Sequence, residues 1–110
     1  MTAGGVVVAG IKIRAKIKDG TTTVKALITH PMETGRRTDP ETKAVVPAHF
    51  IQRIVAEHNG KLVFESLWGT GVSANPFISF AFTGGKAGDK VKLTWVDNKG
   101  ESGHTETVIK

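Results

Sequence analysis

The chain has 110 residues, 39% hydrophobic and 23% charged, which suits a single domain with one modest core. It contains no cysteine, so disulfides, thiolate metal ligands and a cysteine nucleophile are all excluded. The formal charge of +5 favours anionic partners without choosing among nucleic acid, lipid and acidic protein, and it equally suits a protein that only needs to stay soluble.

Residues 1–10 hold a short apolar run, Val6 to Ala9, with no positive charge before it. A secretory signal needs a charged start and a longer apolar stretch, so this segment reads as a flexible lead into one domain spanning 11–110. No run approaches the roughly 18–20 apolar residues that span a bilayer as a helix. Ile11, Ile13, Ala15 and Ile17 then alternate strictly with Lys12, Arg14, Lys16 and Lys18. Period two places the apolar set on one face of a strand and all four cations on the other.

Asp19-Gly20 supplies a turn into Thr21–Thr29, with Val24, Ala26 and Ile28 in register, and the two runs predict a hairpin. From His30 to Pro47 the pattern dissolves into Pro, Gly, Thr and charges; a stretch this long without pattern points to a functional loop. Phe50–His58 resumes the strand pattern and Asn59-Gly60, a strong hairpin signal, returns it into Lys61–Leu67. Gln52–Glu57 also resembles a helical turn, but Ile51, Ile54 and Val55 before Asn-Gly favour strand. The Gly-rich loop Trp68–Pro76 leads to Phe77–Thr83, where Ile78, Phe80 and Phe82 share a face. A turn at Gly84–Asp89, read as a hairpin, precedes Lys90–Asp97, with Val91, Leu93 and Trp95 inward and Lys92 and Thr94 outward. Asn98-Lys99-Gly100 turns the chain into a last strand ending at Ile109. About seven strands and no helix predict an all-β, immunoglobulin-like sandwich of two antiparallel sheets.

Chemistry finds little purchase in this pattern. His30, His49, His58 and His104 lack the short fixed spacings of metal ligands; His49 and His58 stand at opposite ends of one strand, and His30 beside Pro31 reads as a turn or surface residue. Glu33, Asp39 and Glu41 lie among Arg36, Arg37 and Lys43, which predicts solvated ion pairs. None of Ser66, Ser73, Ser79 and Ser102 sits in a Gly-x-Ser-x-Gly elbow, and Gly84–Lys90 lacks the spacing of a phosphate loop. No catalytic residue, metal or cofactor is expected. The stripe Lys12, Arg14, Lys16, Lys18 suits a phosphate backbone, but no aromatics interleave it; a solvated face, or an edge strand guarded by lysine, is the competing reading. Trp95 belongs to the core, whereas Trp68 is either a partly exposed interface anchor or packing at a loop base.

Several segments, in order over nearly the whole chain, resemble the SoxZ family of bacterial sulfur-oxidation systems. They are His30-Pro31-Met32-Glu33-Thr34-Gly35-Arg36-Arg37, Val46-Pro47-Ala48-His49-Phe50-Ile51, Trp68-Gly69 with Ser73-Ala74-Asn75-Pro76-Phe77, and Gly88-Asp89-Lys90 with Trp95-Val96-Asp97-Asn98-Lys99-Gly100. The resemblance implies the non-catalytic half of a periplasmic carrier, paired with a SoxY-like subunit whose cysteine binds the sulfur substrate covalently. That pair would visit cytochrome, hydrolase and dehydrogenase components in turn, and this chain would be exported with its signal-bearing partner. Loop length and motif density place the partner interface on Met32, Glu33, Thr34, Arg36 and Arg37 and on Trp68, Asn75 and Phe77. Neither nucleic acid nor membrane is an expected partner on this reading, and some self-association is expected when the true partner is absent. The alternatives are a basic β-sandwich that binds nucleic acid or another polyanion, and a metal-assisted enzyme using the histidines.

Overall fold

In a computed structural model, residues 10–110 are described; residues 1–9, with the expected flexible lead, lie outside the described part. Seven strands follow in chain order: β1 (Ile11–Lys18), β2 (Thr21–Ile28), β3 (Ile51–His58), β4 (Lys61–Leu67), β5 (Phe77–Thr83), β6 (Lys90–Asp97) and β7 (Ser102–Val108). They form a three-stranded sheet, β1-β2-β5, and a four-stranded sheet, β4-β3-β6-β7, with every pairing antiparallel. This is the predicted immunoglobulin-like sandwich.

Two connections are tight hairpins set by local chemistry. Asp19 and Gly20 have φ of 52° and 77°, and Asn59 and Gly60 have 49° and 86°. Positive φ at both central residues defines the type I′ turn, whose twist matches that of the flanking strands. The Gly84–Asp89 segment is not a hairpin, as the sequence suggested, because β5 pairs with β2 and β6 with β3, so the segment carries the chain from one sheet to the other. Gly85 is required there on two counts: its φ is +88°, and an added Cβ would lie 2.6 Å from Thr22 Oγ1.

The inward rows are Val24, Ala26 and Ile28 on β2, Ile51, Ile54 and Ala56 on β3, and Val91, Leu93 and Trp95 on β6, all buried. Ile51 and Ile54 lie three apart yet share a face, because a bulge between Ile51 and Arg53 inserts an extra residue opposite β6. That bulge explains the helix-like spacing of this strand. Ile78 of β5 is also buried, and Phe64 of β4 stacks on Phe80 of β5 with ring centroids 4.2 Å apart, packing the two sheets together beside their unpaired edge strands.

The starts of β1, β3, β5 and β7 and the ends of β2, β4 and β6 gather at one end of the sandwich. The long connections 29–50 and 68–76 both lie at this end. Ile54→Ala is expected to cost about 2–5 kcal/mol of unfolding free energy in urea titrations, and outward Lys92→Ala less than about 0.5 kcal/mol. Equal small losses at both positions would contradict this placement of the core.

Candidate functional site at the loop end

The inward row of β2 does not stop at Ile28. Two residues on, His30 keeps the same parity and is 3% exposed; likewise Asp97 continues Val91, Leu93 and Trp95 on β6 and is 2% exposed. The two rows meet between the sheets, where His30 Nε2 lies 3.1 Å from Asp97 Oδ2. His49, one residue before Phe50, brings its Nε2 to 2.7 Å from the same oxygen and 2.9 Å from Glu101 Oε1. The sequence reading of His30 as a turn or surface residue is therefore corrected, and two of the four histidines converge after all. His58 bonds Asp89 at the opposite end of β3, and His104 is exposed on β7.

The protons of this cluster follow from its neighbours. The Met32 backbone N–H donates to His30 Nδ1 at 3.1 Å, so Nδ1 carries a lone pair and Nε2 carries the hydrogen given to Asp97. Asp97 Oδ1 accepts from the backbone N–H of Lys99 and of Glu101, at 3.0 and 2.9 Å. The main chain of His30 is held as well: its N–H donates to Asn75 Oδ1 at 3.1 Å and its carbonyl accepts from Asn75 N at 2.9 Å. Burial is the largest influence on the Asp97 carboxyl and would raise its pKa. Hydrogen bonds from His30, Glu101 N–H, His49 and Lys99 N–H together outweigh it and hold the carboxyl below the usual carboxylate range.

His30, His49 and Asp97 bring three ligand-type atoms within 4.8 Å of one another, close enough to raise the question of a metal. A metal on His30 Nε2 would drive that hydrogen to Nδ1, directly opposing the Met32 N–H. The donor set is therefore built for protons: it is a buried hydrogen-bond tie that joins both sheets and both loops.

The long connection 29–50 is more ordered than its sequence pattern suggests. Glu33 and His49 exchange backbone hydrogen bonds of 2.6 and 2.9 Å, and Thr38 bridges Val45. Asn98 pins its far end to the β6–β7 turn, accepting from Phe50 N at 2.8 Å and donating to Ala48 O at 2.9 Å. Glu33 and Arg37 form the predicted exposed ion pair at 2.7 Å, which keeps the Glu33 carboxyl below its ordinary range.

The expected interface residues divide by exposure. Met32 is buried, with its sulfur accepting from Ile51 N at 3.4 Å, and supports the loop from beneath. Asn75 is exposed but has its side-chain oxygen committed to His30. Thr34 and Arg36 are exposed. Trp68 is half-buried against the core, its indole N–H donating to Ser66 Oγ at 2.8 Å, so both readings of it contain part of the answer. Leu67 and Phe77, 76% and 62% exposed, bracket the 68–76 loop at the ends of two edge strands. Leu67 was not singled out from sequence; strand parity alone cannot show that an edge strand lacks a covering neighbour.

The chain is thus a cysteine-free β-sandwich of two antiparallel sheets whose buried histidine–aspartate cluster is occupied by its own hydrogen bonds. The family described as sulphur oxidation protein SoxZ matches residues 11–108, and the chain belongs to that family. No curated protein sequence matches it. Among solved structures, a superoxide reductase (neelaredoxin) variant from Ignicoccus hospitalis is similar at TM-score 0.64 and 18% identity, covering 97% of this chain and 83% of that one. A variant of the Archaeoglobus fulgidus superoxide reductase in the reduced form gives 0.64 and 17%, over 98% and 93%. A hypothetical protein from Pyrococcus horikoshii gives 0.61 and 18%, over 100% and 96%. At these identities the likeness is one of fold.

Asp97→Ala is expected to lower stability by about 3 kcal/mol or more, because it leaves several buried donors unpaired. The folded-state pKa of Asp97 is depressed, so its contribution is present above the unfolded carboxylate range and fades as pH falls through the folded value. In urea titrations the gap between wild type and Asp97→Ala should therefore be full near pH 7 and shrink from about pH 4 downward. Equimolar Zn²⁺ should leave the melting temperature unchanged; a rise abolished by His49→Ala would instead assign a metal site.

Proposed function

We propose that this chain is the non-catalytic half of a sulfur-carrier heterodimer in the periplasm, paired with a SoxY-like subunit that carries the substrate on its own cysteine. The family match over 11–108 carries the reading and places the chain in the Sox sulfur-oxidation system. The sequence supports the division of labour: with no thiol, this chain has no means of forming a cysteine–sulfur linkage, and its contribution is to hold and present. The loop end supports it too. Leu67 and Phe77 flank a loop whose base is braced through Asn75 to the buried His30, which gives two exposed apolar anchors a rigid mounting.

Co-expression with the SoxY-like subunit of the same bacterium should yield a one-to-one complex through affinity purification on the partner's tag. Leu67→Glu with Phe77→Glu should weaken that complex by about 100-fold in isothermal titration, as expected when two buried apolar anchors are lost. A chain that stays monomeric beside its partner would overturn the proposal. If instead the complex forms and the double variant binds like wild type, the interface lies elsewhere on the sandwich.

A further inference from the structure

Sheet registry places more positive charge on one face than the β1 stripe alone. Lys12, Arg14, Lys16 and Lys18 project outward from β1, and Lys25 projects beside them from β2, directly opposite Arg14. The remaining outward positions across β2 and β5 are Thr21, Thr23, Leu27, Phe77, Ser79, Ala81 and Thr83. No carboxylate occurs on this face, and none of the five cations forms an ion pair among the described residues. The outer face of the other sheet is different in kind: Arg53 pairs with Glu65 at 2.6 Å, and Lys92 lies between Glu57 and Glu106.

Two simpler readings do not account for this arrangement. Like charges directly opposite one another on neighbouring strands destabilise a sheet by a few tenths of a kcal/mol or more, so Arg14 facing Lys25 is a cost the fold bears with no carboxylate on that face to offset it. Lysines that guard a sheet against edge-to-edge pairing belong on bare edges. Here the second half of β1 is covered by the chain's own end, with Ile17 N donating to Lys110 O at 3.1 Å and Lys110 N to Ala15 O at 3.0 Å. The bare edge strand of the same sheet, β5, has no charged residue from Phe77 to Thr83.

We propose that the outer face of the three-stranded sheet is a docking surface for acidic protein, and that its occupants are acidic patches on the enzymes that act on the carrier. This rests on the carrier reading given above. The cations of this face repeat about every 7 Å along β1. The other outward side chains are hydroxyl and methyl groups, with the apolar Leu27 and Phe77 at the loop end; a single aromatic makes no row on which bases would stack, which favours protein over single-stranded nucleic acid. Unpaired surface cations of this kind contribute mainly to encounter rate and orientation, which suits a carrier that must meet several enzymes and leave each of them.

The experiment uses the purified heterodimer and, one at a time, the purified cytochrome, hydrolase and dehydrogenase components of the same bacterium. Lys12→Glu/Lys16→Glu/Lys25→Glu is compared with a control of equal charge change placed elsewhere, Lys61→Glu/Lys86→Glu/Lys99→Glu, after both are shown to fold and to keep the SoxY-like partner. At low salt the first variant should associate at least about 10-fold more slowly than wild type while the control stays within about 3-fold, and the difference should close near 0.5 M salt. Equal losses in both variants would reduce the effect to net charge and overturn the surface. So would unchanged rates in the first variant. Tighter binding of wild type to a duplex oligonucleotide or to phosphatidylglycerol vesicles than to any of the enzymes, abolished by the first variant, would also overturn it by naming another ligand. If wild type forms no heterodimer, the carrier reading has failed on its own, and the same comparison on the isolated chain still decides whether the face binds these enzymes.

Discussion

Asp97 is the constraint on which the loop end depends. Its two oxygens receive four hydrogen bonds, from the side chains of His30 and His49 and from the backbone of Lys99 and Glu101. The acceptors of one buried carboxylate thereby fix a strand end in each sheet, the return of the long 29–50 connection and the β6–β7 turn. An isolated buried charge would cost several kcal/mol, and full pairing is what makes it tolerable. Any rearrangement of the loops that broke this tie would leave buried donors unpaired, which favours the arrangement that keeps all four bonds.

Rigidity then passes outward. His30 is committed at both main-chain groups to Asn75 and at Nδ1 to Met32, so the loop 68–76 and the start of the 29–50 segment share one anchor. Asn75 and Met32 both adopt positive φ, 51° and 49°. For Asn this is common; for Met it is a strained conformation, held where the side chain is buried and the backbone N–H is bonded to His30 Nδ1. The loops that flank Leu67 and Phe77 are thus preorganised, which lowers the ordering cost of any association made there.

The strand pattern was legible because period two is written plainly in β1, β2 and β6, and because Asp-Gly and Asn-Gly specify their own turns. The β3 bulge was not, since an inserted residue imitates the spacing of a helix. The histidine–aspartate tie was within reach: His30 lies two residues beyond Ile28 and Asp97 two beyond Trp95, on the same inward parity. Both groups are polar and stand just past the last apolar residue of their rows, where an inward row ordinarily ends. The pairing of two such rows across separate sheets is a tertiary fact with no local signal, and the same holds for Leu67 standing uncovered; Lys25 beside Arg14, by contrast, follows from the register that the two-residue Asp19-Gly20 turn imposes.

Hydrogen exchange on this chain, alone and in complex with its SoxY-like partner, tests the central claim most directly. New protection is expected at the loop end, in residues 67–77, while amides of β3 and β6 exchange slowly in both states. Identical exchange in the two samples, or protection confined to the outer face of the four-stranded sheet, would contradict it.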